Sequence, residues 1–524
     1  MQTTKTIPPL TAADAVAAVV VGAAALALYL RTLVPYPLPG DSGEFQVLVH
    51  QLGAAHTTGY STYLLLGHLF EQLVPWGDVA WRVNLFSAVM GALAAALVYL
   101  AGKLLTGSGP AAVVGALSLS VGFTFWSQAI IAEVYTTGAA FLAAVLFCVL
   151  LWERTDSRWA IGVAGMLGGV GLGAHGSLAP LGLAVALFLL LNARRWRTWL
   201  LPALAGAIIG LALYAGGMFL VDANQAPANI FNAAYTASRS KWGLSAADVE
   251  NPATRVWFLA SAGQWRSALF TDPGADTWPG ILDYLGKLPR DVAWPAIGLA
   301  LLGLGVLLRR EWKVATFLFV ALLLQLVIYV NYGVGDRYVF FIPTYVLWSL
   351  LVTAGAAGVL DFVGRWSWGK RAAMQAGLAA VLALLCVGPL VAPRWPAIRA
   401  GSTPFTGARE YLVRPDTVSI SRIAPLVTAA LEPNAIVFTE WHWLYPYYYA
   451  AHIEQAKTGI QFIETSPRSE QRGLAESLFA FVDGNIAERP IYTTGQEGDF
   501  ARAGYRVTRV TVGPTTMYRI EAPQ

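Results

Sequence analysis

The chain has 524 residues, of which 56% are hydrophobic and only 13% are charged, and its formal net charge is +4. Soluble proteins carry roughly 25% charged residues, so this composition excludes a string of ordinary soluble domains and indicates a polytopic membrane protein. The basic residues lie between apolar runs, which indicates membrane topology and argues against nucleic-acid binding. The two cysteines, Cys148 and Cys386, lie inside apolar runs, so we expect neither a disulfide framework nor a thiolate metal site.

Apolar runs recur along the chain, and a helix that spans a bilayer needs roughly 20 apolar residues. We predict eleven transmembrane helices, and a Gly-rich break at His175-Gly176 separates the fifth from the sixth. The first run is too long for the apolar core of a signal peptide. The predicted spans are 13–34, 82–102, 110–128, 134–152, 159–174, 177–192, 199–221, 292–308, 313–331, 339–361 and 372–393.

Basic residues lie on alternate connections between these spans, and the positive-inside rule assigns those connections to the cytoplasm. The opposite, extracytoplasmic side then receives the loop 35–81, the long segment 222–290 and the chain from residue 394 onward. We therefore predict a transmembrane domain over 1–393 and a soluble domain over 394–524. The basic residues are Lys5, Lys103, Arg154, Arg158, Arg194, Arg195, Arg197, Arg309, Arg310, Lys313, Arg365, Lys370 and Arg371.

The first extracytoplasmic loop opens on Pro37-Leu38-Pro39-Gly40-Asp41-Ser42-Gly43-Glu44-Phe45, where two carboxylates stand three residues apart. The prolines end the first span, and Ser42 is expected to cap a new helix with Glu44 in its first turn, near the positive end of the helix dipole. Asp41 then precedes this helix as a neighbour of Glu44. An alternative is that both carboxylates only cap the helix. Further along, 44–52 and 60–73 predict two helices on the membrane surface.

Other polar residues fall on the same predicted side of the membrane, where buried charge is expensive and usually marks a pathway or a site. Arg82 opens a span, where it either snorkels to lipid phosphate or pairs with a site carboxylate. The candidates Glu133, His175 and Arg337 each have a structural alternative. For Glu133 it is a helix N-terminal charge, for His175 a packing role, and for Arg337 an ion pair with Asp336 or Glu133. Asp336 is itself a candidate beside Arg337, and the additional candidates in the first loop are His56 and Tyr60.

This set of side chains suits transfer chemistry on a lipid-linked substrate. A carboxylate can take the proton of an acceptor hydroxyl, and an arginine can hold a leaving phosphate through two hydrogen bonds. A hard divalent cation such as Mg²⁺ or Mn²⁺ is a further option, since Asp41, Glu44 and Glu133 supply carboxylate oxygens. Zinc is not expected, because no clustered His/Cys spacing is present.

The chain beyond Pro393 changes character and predicts a small α/β domain with a parallel core. Strands are predicted at 434–439, 460–464 and 490–494, helices at 443–455 and 469–482, and a hairpin at 505–520. No nucleotide-binding Gly-rich motif is present. The sequence Glu440-Trp441-His442-Trp443 follows the first strand, at a position where α/β sheets tend to bind ligands.

Three motifs resemble those of a bacterial membrane family described as protein O-mannosyltransferase-like and formerly known as a domain of unknown function. The resemblance is specific over about residues 35–140, weaker to about 345, and does not cover the C-terminal domain. Family members often have Pro-Pro where this chain has Thr57-Thr58. The motifs are Gly40-Asp41-Ser42-Gly43-Glu44-Phe45 with His56-Thr57-Thr58-Gly59-Tyr60 and Ala80-Trp81-Arg82-Val83-Asn84, then Phe125-Trp126-Ser127-Gln128 with Glu133-Val134-Tyr135, and finally Asp336-Arg337-Tyr338 with Pro343.

The resemblance implies a GT-C glycosyltransferase in a bacterial inner membrane, with a polyprenyl-phosphate sugar donor, mannose being expected, and a catalytic acid in the first extracytoplasmic loop. On this chain that acid is Asp41. Glu44 and Glu133 are then expected to orient it or the acceptor, and Arg337, with Arg82 or His56, to hold the donor phosphate. The acceptor is a hydroxyl of protein Ser/Thr, glycan or lipid.

Two other functions stay open at this stage. A transporter or flippase of lipid-linked sugars predicts polar residues along the membrane midplane and symmetry between halves, which we do not find in the sequence. A membrane scaffold without activity predicts that loss of Asp41 has no consequence.

Overall fold

The computed structural model describes residues 9–365, 371–407, 416–465 and 473–523. Over these ranges the protein is mostly helical, and one five-stranded sheet lies in its C-terminal part. The helices are α1 (Ala12–Thr32), α2 (Gly40–Gln51), α3 (Ser61–Leu73), α4 (Val79–Thr106), α5 (Gly109–Ser120), α6 (Phe123–Ala129), α7 (Tyr135–Thr155), α8 (Arg158–Gly171), α9 (Leu178–Leu191), α10 (Trp196–Ala223), α11 (Ala246–Glu250), α12 (Pro252–Ala260), α13 (Pro273–Lys287), α14 (Trp294–Arg310), α15 (Trp312–Val330), α16 (Ile342–Gly364), α17 (Arg371–Val391), α18 (Trp395–Ala400), α19 (Thr417–Ala430), α20 (Trp441–Tyr448), α21 (Glu476–Asp483) and α22 (Glu497–Arg502).

Every one of the eleven predicted spans coincides with helix, and the third is divided into α5 and α6, which meet at 70°. In the part of the chain that the structure describes, seven helices are long and apolar enough to cross a membrane. The number rises to nine if two bent pairs, α5 with α6 and α13 with α14, each count as one span. The helices α8 and α9 have 14 residues each and are therefore shorter than a full crossing.

The Gly-rich sequence of α8 has a packing function. A Cβ atom on Gly165 would lie 2.5 Å from the carbonyl oxygen of Ala203, and one on Gly206 would lie 1.9 Å from the carbonyl oxygen of Gly162. Only glycine at these positions allows the backbones of α8 and α10 to approach so closely.

The chain forms two compact units. The first unit comprises Met1–Val34, Ser87–Ala215 and Ser267–Phe405, and the second comprises Pro35–Phe86, Gly216–Arg266 and Thr406–Gln524. This division differs from the predicted boundary between 393 and 394, because the first loop and much of the segment 222–290 pack with the C-terminal chain in one unit. The two helices predicted in the loop are confirmed as α2 and α3.

The sheet of the second unit is built from β1 (Ile436–Thr439), β2 (Gln461–Glu464), β3 (Ile491–Thr493), β4 (Arg506–Val512) and β5 (Thr515–Glu521), in the order β2-β1-β3-β5-β4. The strand β1 pairs in parallel with β2 and β3, while β4 and β5 form the predicted hairpin. The α/β organisation with a parallel core is thus confirmed. Its interior is apolar and contains Ile436, Phe438, Ile463, Leu478, Ile491 and Phe500.

Two C-terminal helices differ from their predicted bounds. The helix predicted at 443–455 begins earlier, at Trp441, and continues after Tyr448 as a π-helical stretch, Tyr449–Glu454. The described part of the helix predicted at 469–482 is α21, and residues 466–472 lie outside the described residues. The early start of α20 places Trp441 in the first helical turn after β1.

Candidate active site

The first carboxylate pair lies at the N-terminus of α2, but the helix begins earlier than predicted. Pro39 is the N-cap residue with extended backbone (φ −80°, ψ 169°), and the helix starts at Gly40, so Asp41 lies inside the first turn. The prediction that Ser42 caps the helix is wrong, because Ser42 is buried within it. The side chain of Gln46 reaches back instead and accepts a hydrogen bond from the amide of Leu38 at 2.8 Å.

Asp41 has a carboxylate that is held by a hydrogen bond and is still partly exposed. Its side chain is 27% exposed. The Oδ1 atom accepts a hydrogen bond of 2.7 Å from the indole Nε1 of Trp441, while Oδ2 lies 3.9 Å from Nε2 of His56. One oxygen is therefore fixed by a donor, and the other faces an imidazole.

Glu44 follows Asp41 by three residues in α2, and its side chain is completely buried. Its Oε1 accepts hydrogen bonds from the backbone N–H of His56 at 2.8 Å and from the hydroxyl of Tyr445 at 3.2 Å, and its Oε2 contacts Nδ1 of His56. Burial raises the pKa of Glu44, the proximity of His56 opposes this, and Asp41 raises the pKa further. Burial also raises the pKa of Tyr445, which keeps its hydroxyl protonated as a donor to Glu44.

His56 joins the two carboxylates. Its Nδ1 contacts Glu44 and its Nε2 is directed toward Asp41. Aromatic rings surround the imidazole, with centroids of Phe45, Tyr60 and Trp441 at 5.8, 5.2 and 6.0 Å. These contacts fix the ring plane, so the structure places His56 against two carboxylates and Tyr60 against the imidazole.

The segment that follows His56 is held by a second set of polar contacts. The side-chain oxygen of Gln264 accepts hydrogen bonds from the hydroxyls of Tyr235 and Thr57, at 2.7 and 3.3 Å. The peptide bond between Thr57 and Thr58 is cis. Residues from 216–266 thereby orient the loop that carries the imidazole.

Arg82, predicted to bind lipid phosphate or to pair with a carboxylate, makes an ion pair. Its Nη2 atom lies 2.5 Å from Oε1 of Glu71, whose side chain is 1% exposed, and its Nη1 donates to the carbonyl oxygen of Val74 at 3.2 Å. The guanidinium therefore neutralises a buried charge between α3 and the start of α4.

The remaining predicted site residues lie in the first unit. Arg337 donates to the carbonyl oxygen of Val330 at 3.1 Å and has Oδ2 of Asp283 at 3.8 Å, so the described ion pair is not the predicted one with Asp336 or Glu133. Asp336 accepts from the hydroxyl of Tyr135 at 3.3 Å.

Glu133 and His175 are both buried in the first unit. The backbone of Glu133 exchanges two hydrogen bonds of 3.1 Å with the hydroxyl of Ser87. His175 accepts from the amide of Ser177 at 3.2 Å and packs against the rings of Tyr135 and Phe340. These contacts match the packing alternative for His175.

A cation would need several ligands from one cluster. Across the described ranges, no group of three or more His, Cys, Asp or Glu side chains is arranged to hold a metal ion. The oxygens of Glu44 and Oδ1 of Asp41 already accept hydrogen bonds. The residues present therefore do not form a ready site for Mg²⁺ or Mn²⁺, and no chemical step is assigned to one.

Sequence reasoning missed several residues of this cluster, namely Trp441, Tyr445, Tyr235 and Gln264. Trp441 belongs to the short motif after β1 that drew attention as a ligand position in α/β sheets, and that motif was the only available signal. Its distance of 400 residues from Asp41 in the chain left the pairing invisible in the sequence.

The fold is similar to that of a membrane protein of known structure. Two solved structures of ArnT from Cupriavidus metallidurans, one bound to undecaprenyl phosphate and one in the apo state, match with a TM-score of 0.61 over 97% of this chain and 99% of ArnT. The sequence identity is 16%, so this likeness concerns the fold. The expected GT-C fold is confirmed.

Residues 41–200 match the family described as protein O-mannosyl-transferase TMEM260 N-terminal domain. The mouse protein O-mannosyl-transferase TMEM260 is 36% identical over 140 residues, which are 26% of this chain and 20% of the relative. The protein of the same name from Dictyostelium discoideum is 29% identical over 129 residues, 24% of this chain and 16% of the relative. The matches confirm the resemblance to an O-mannosyltransferase-like family, and they span a fifth or less of the length of these relatives.

Proposed function

We propose that this protein is an inverting glycosyltransferase that moves a sugar, mannose being favoured, from a polyprenyl-phosphate donor to a hydroxyl acceptor such as protein Ser/Thr. The observation that carries the proposal is the accessible carboxylate of Asp41, fixed at the start of α2 by an indole donor and backed by a buried Glu44–His56 pair. The family match over 41–200 begins at this residue.

In this proposal Asp41 is the general base. Its Oδ2 takes the proton as the acceptor oxygen forms a bond to the anomeric carbon of the sugar. The bond from that carbon to the phosphate oxygen breaks in the same step, and the electron pair leaves with polyprenyl phosphate. One displacement inverts the configuration at the anomeric carbon.

Glu44 does not face substrate in this proposal, because it is buried and its oxygens are engaged. It orients His56, whose Nε2 faces Asp41. Arg82 and His56 were both predicted to hold the donor phosphate, but each is occupied by carboxylates within the second unit. The roles predicted for Glu133 and Arg337 of the first unit stay predictions.

Two features of the relatives and neighbours support the choice of substrates. The neighbour of known structure is described as ArnT bound to undecaprenyl phosphate, and the relatives are described as protein O-mannosyl-transferases.

Basic residues on alternate connections favour an extracytoplasmic position for α2 and the sheet. Alkaline phosphatase fused after residue 524 in a bacterial host tests this topology, since the enzyme is active only outside the cytoplasm.

The test is sugar transfer by the purified full chain in lipid nanodiscs, with radiolabelled polyprenyl-phosphate-mannose and a membrane-protein acceptor pool. Asp41→Asn should lower the rate by roughly 10²- to 10⁴-fold, the usual contribution of a general base. Asp276→Asn, at an exposed position in the first turn of α13, is the control and should change the rate less than a few-fold. Equal transfer by the Asp41 variant and the parent would remove Asp41 from the mechanism, and no transfer by the parent would reject this donor.

The stereochemical part is tested separately. The anomeric configuration of the product, read from the one-bond carbon–proton coupling at the labelled anomeric carbon, should be opposite to that of the donor. Retention would require a covalent intermediate and would contradict the single displacement.

A further inference from the structure

Helix α20 brings two donors to the carboxylate pair of α2. Trp441 and Tyr445 are four residues apart, so they lie on the same face of the helix. Their rings meet edge to face with centroids 5.1 Å apart. Trp441 donates to Asp41 at 2.7 Å and Tyr445 donates to Glu44 at 3.2 Å, so each carboxylate has its own aromatic partner.

The start of α20 is anchored to the sheet. The helix follows β1 directly, with Glu440 as its N-cap residue, and β1 lies between two parallel neighbours in the sheet. Farther along, the hydroxyl of Tyr448 donates to the carbonyl oxygen of Phe462 on β2 at 2.8 Å. A helix anchored to the sheet therefore presents the indole.

The contact between α20 and α2 also depends on a glycine. A Cβ atom on Gly43 would lie 3.3 Å from Cβ of Tyr445 and 2.2 Å from the carbonyl oxygen of Leu38. Gly43 stands between Asp41 and Glu44, so the close approach occurs where both carboxylates leave the helix.

We propose that Trp441 is a positioning residue for Asp41, so that the C-terminal α/β part of the chain completes the active site. The inference rests on the proposed function of Asp41. An indole N–H is a donor without acceptor capacity, so it stabilises the ionised carboxylate and does not compete for the proton. The terminal torsion of an aspartate is broad, and the bond to Oδ1 selects the rotation in which Oδ2 remains for the acceptor hydroxyl.

The experiment compares Trp441→Phe with Trp443→Phe in the full chain. The first removes the donor and keeps an aromatic ring. The second is a matched control, because Trp443 stacks on Tyr447, at 5.4 Å between centroids, and has no described contact with the carboxylates. We expect kcat to fall roughly 10- to 100-fold for Trp441→Phe, as for a lost hydrogen bond to a charged group, with the KM for donor within two-fold.

The pH profile separates positioning from loss of structure. A hydrogen bond to a charged carboxylate favours the charged form, so the acid limb of kcat/KM should move to higher pH in Trp441→Phe and stay in place in Trp443→Phe. The melting temperatures of both variants in detergent should agree. Equal kcat values for the two variants, or an unmoved acid limb, would overturn the inference.

A second readout does not depend on transfer activity. Carbodiimides react with protonated carboxyl groups, so labelling of Asp41 at fixed mildly acidic pH, mapped by mass spectrometry, should speed up several-fold in Trp441→Phe alone. An unchanged labelling rate would overturn the positioning inference even if the parent transfers sugar. Faster labelling with an inactive parent would instead reject the proposed function while keeping the contact.

Discussion

The polar residues of the two units contrast in how they are connected. In the second unit Asp41, His56 and Glu44 form a continuous chain of side chains, and Trp441 and Tyr445 donate to its two carboxylates. In the first unit Tyr135 joins two of the predicted residues, since its hydroxyl donates to Asp336 and its ring packs against His175, while Arg337 donates to a backbone carbonyl. Candidate residues of the same chemical types therefore make different kinds of contact in the two units.

This contrast teaches that a catalytic arrangement is recognised by connected geometry, since a base needs a fixed orientation as well as a suitable residue type. Histidine and arginine occur as candidates in both units, which makes matched comparisons possible.

The largest expected effect is a difference in stability between variants of the two candidate arginines, Arg82 and Arg337. Arg82→Met should lower the free energy of unfolding by about 3–5 kcal/mol, because Glu71 would be left buried without its cation. Arg337→Met should cost less than about 1 kcal/mol, because its contact with Asp283 is partly exposed and 3.8 Å long. Denaturant unfolding in detergent measures both.

The double variant Arg82→Met/Glu71→Gln is the control and should recover most of the lost stability. A raised KM for donor in Arg82→Met at unchanged stability would instead assign this arginine to the donor phosphate.

The histidines give the next contrast. His56→Asn keeps a donor near Glu44 and removes the nitrogen that faces Asp41, so kcat should fall roughly 10- to 100-fold. His175→Asn keeps an acceptor for Ser177 and loses ring packing, so it should lower the melting temperature with little change in kcat. Steady-state transfer and thermal melting of the two proteins provide the comparison. If kcat falls in His175→Asn instead, the first unit holds the catalytic histidine.

Burial of the Glu44 carboxylate leads us to predict a smaller effect on stability, which depends on pH. Burial raises the pKa of Glu44 above its ordinary 4.5, so the folded chain keeps this proton to higher pH than the unfolded chain. Its contribution to stability is complete below pH 4.5 and is lost as the pH rises through the raised pKa. Glu44→Gln lacks this titration, so the parent should lose stability relative to the variant as the pH rises.

Melting temperatures of both proteins from pH 4 to 8 measure this difference. Glu250→Gln on the exposed face of α11 is the control and should follow the parent at every pH. A parent that gains stability relative to Glu44→Gln above pH 4.5 would show that the contact with His56 outweighs burial.

Chelation is expected to have the smallest effect. The carboxylate oxygens of the second unit already accept hydrogen bonds, so we predict that EDTA leaves the transfer rate within two-fold of the untreated enzyme. Loss of activity with EDTA that Mn²⁺ or Mg²⁺ restores would contradict this prediction and would require carboxylates to rearrange around the ion.

Local patterns in the sequence determined much of the fold. Apolar runs predict the helices that the structure contains, alternation and turn residues predict the sheet, and glycine breaks separate α2 from α3. The carboxylate pair of α2 was also predictable, because Asp41 and Glu44 are neighbours in the chain. These features depend on residues within one or two turns of each other, and composition and periodicity report such interactions directly.

Only the tertiary structure decided how the pair is used. Trp441 and Tyr445 donate to carboxylates that lie about 400 residues earlier in the chain. His56 is directed toward two carboxylates, and Arg82 forms an ion pair with Glu71. Long-range contacts depend on which surfaces meet after the chain folds back, and no local spacing encodes that choice.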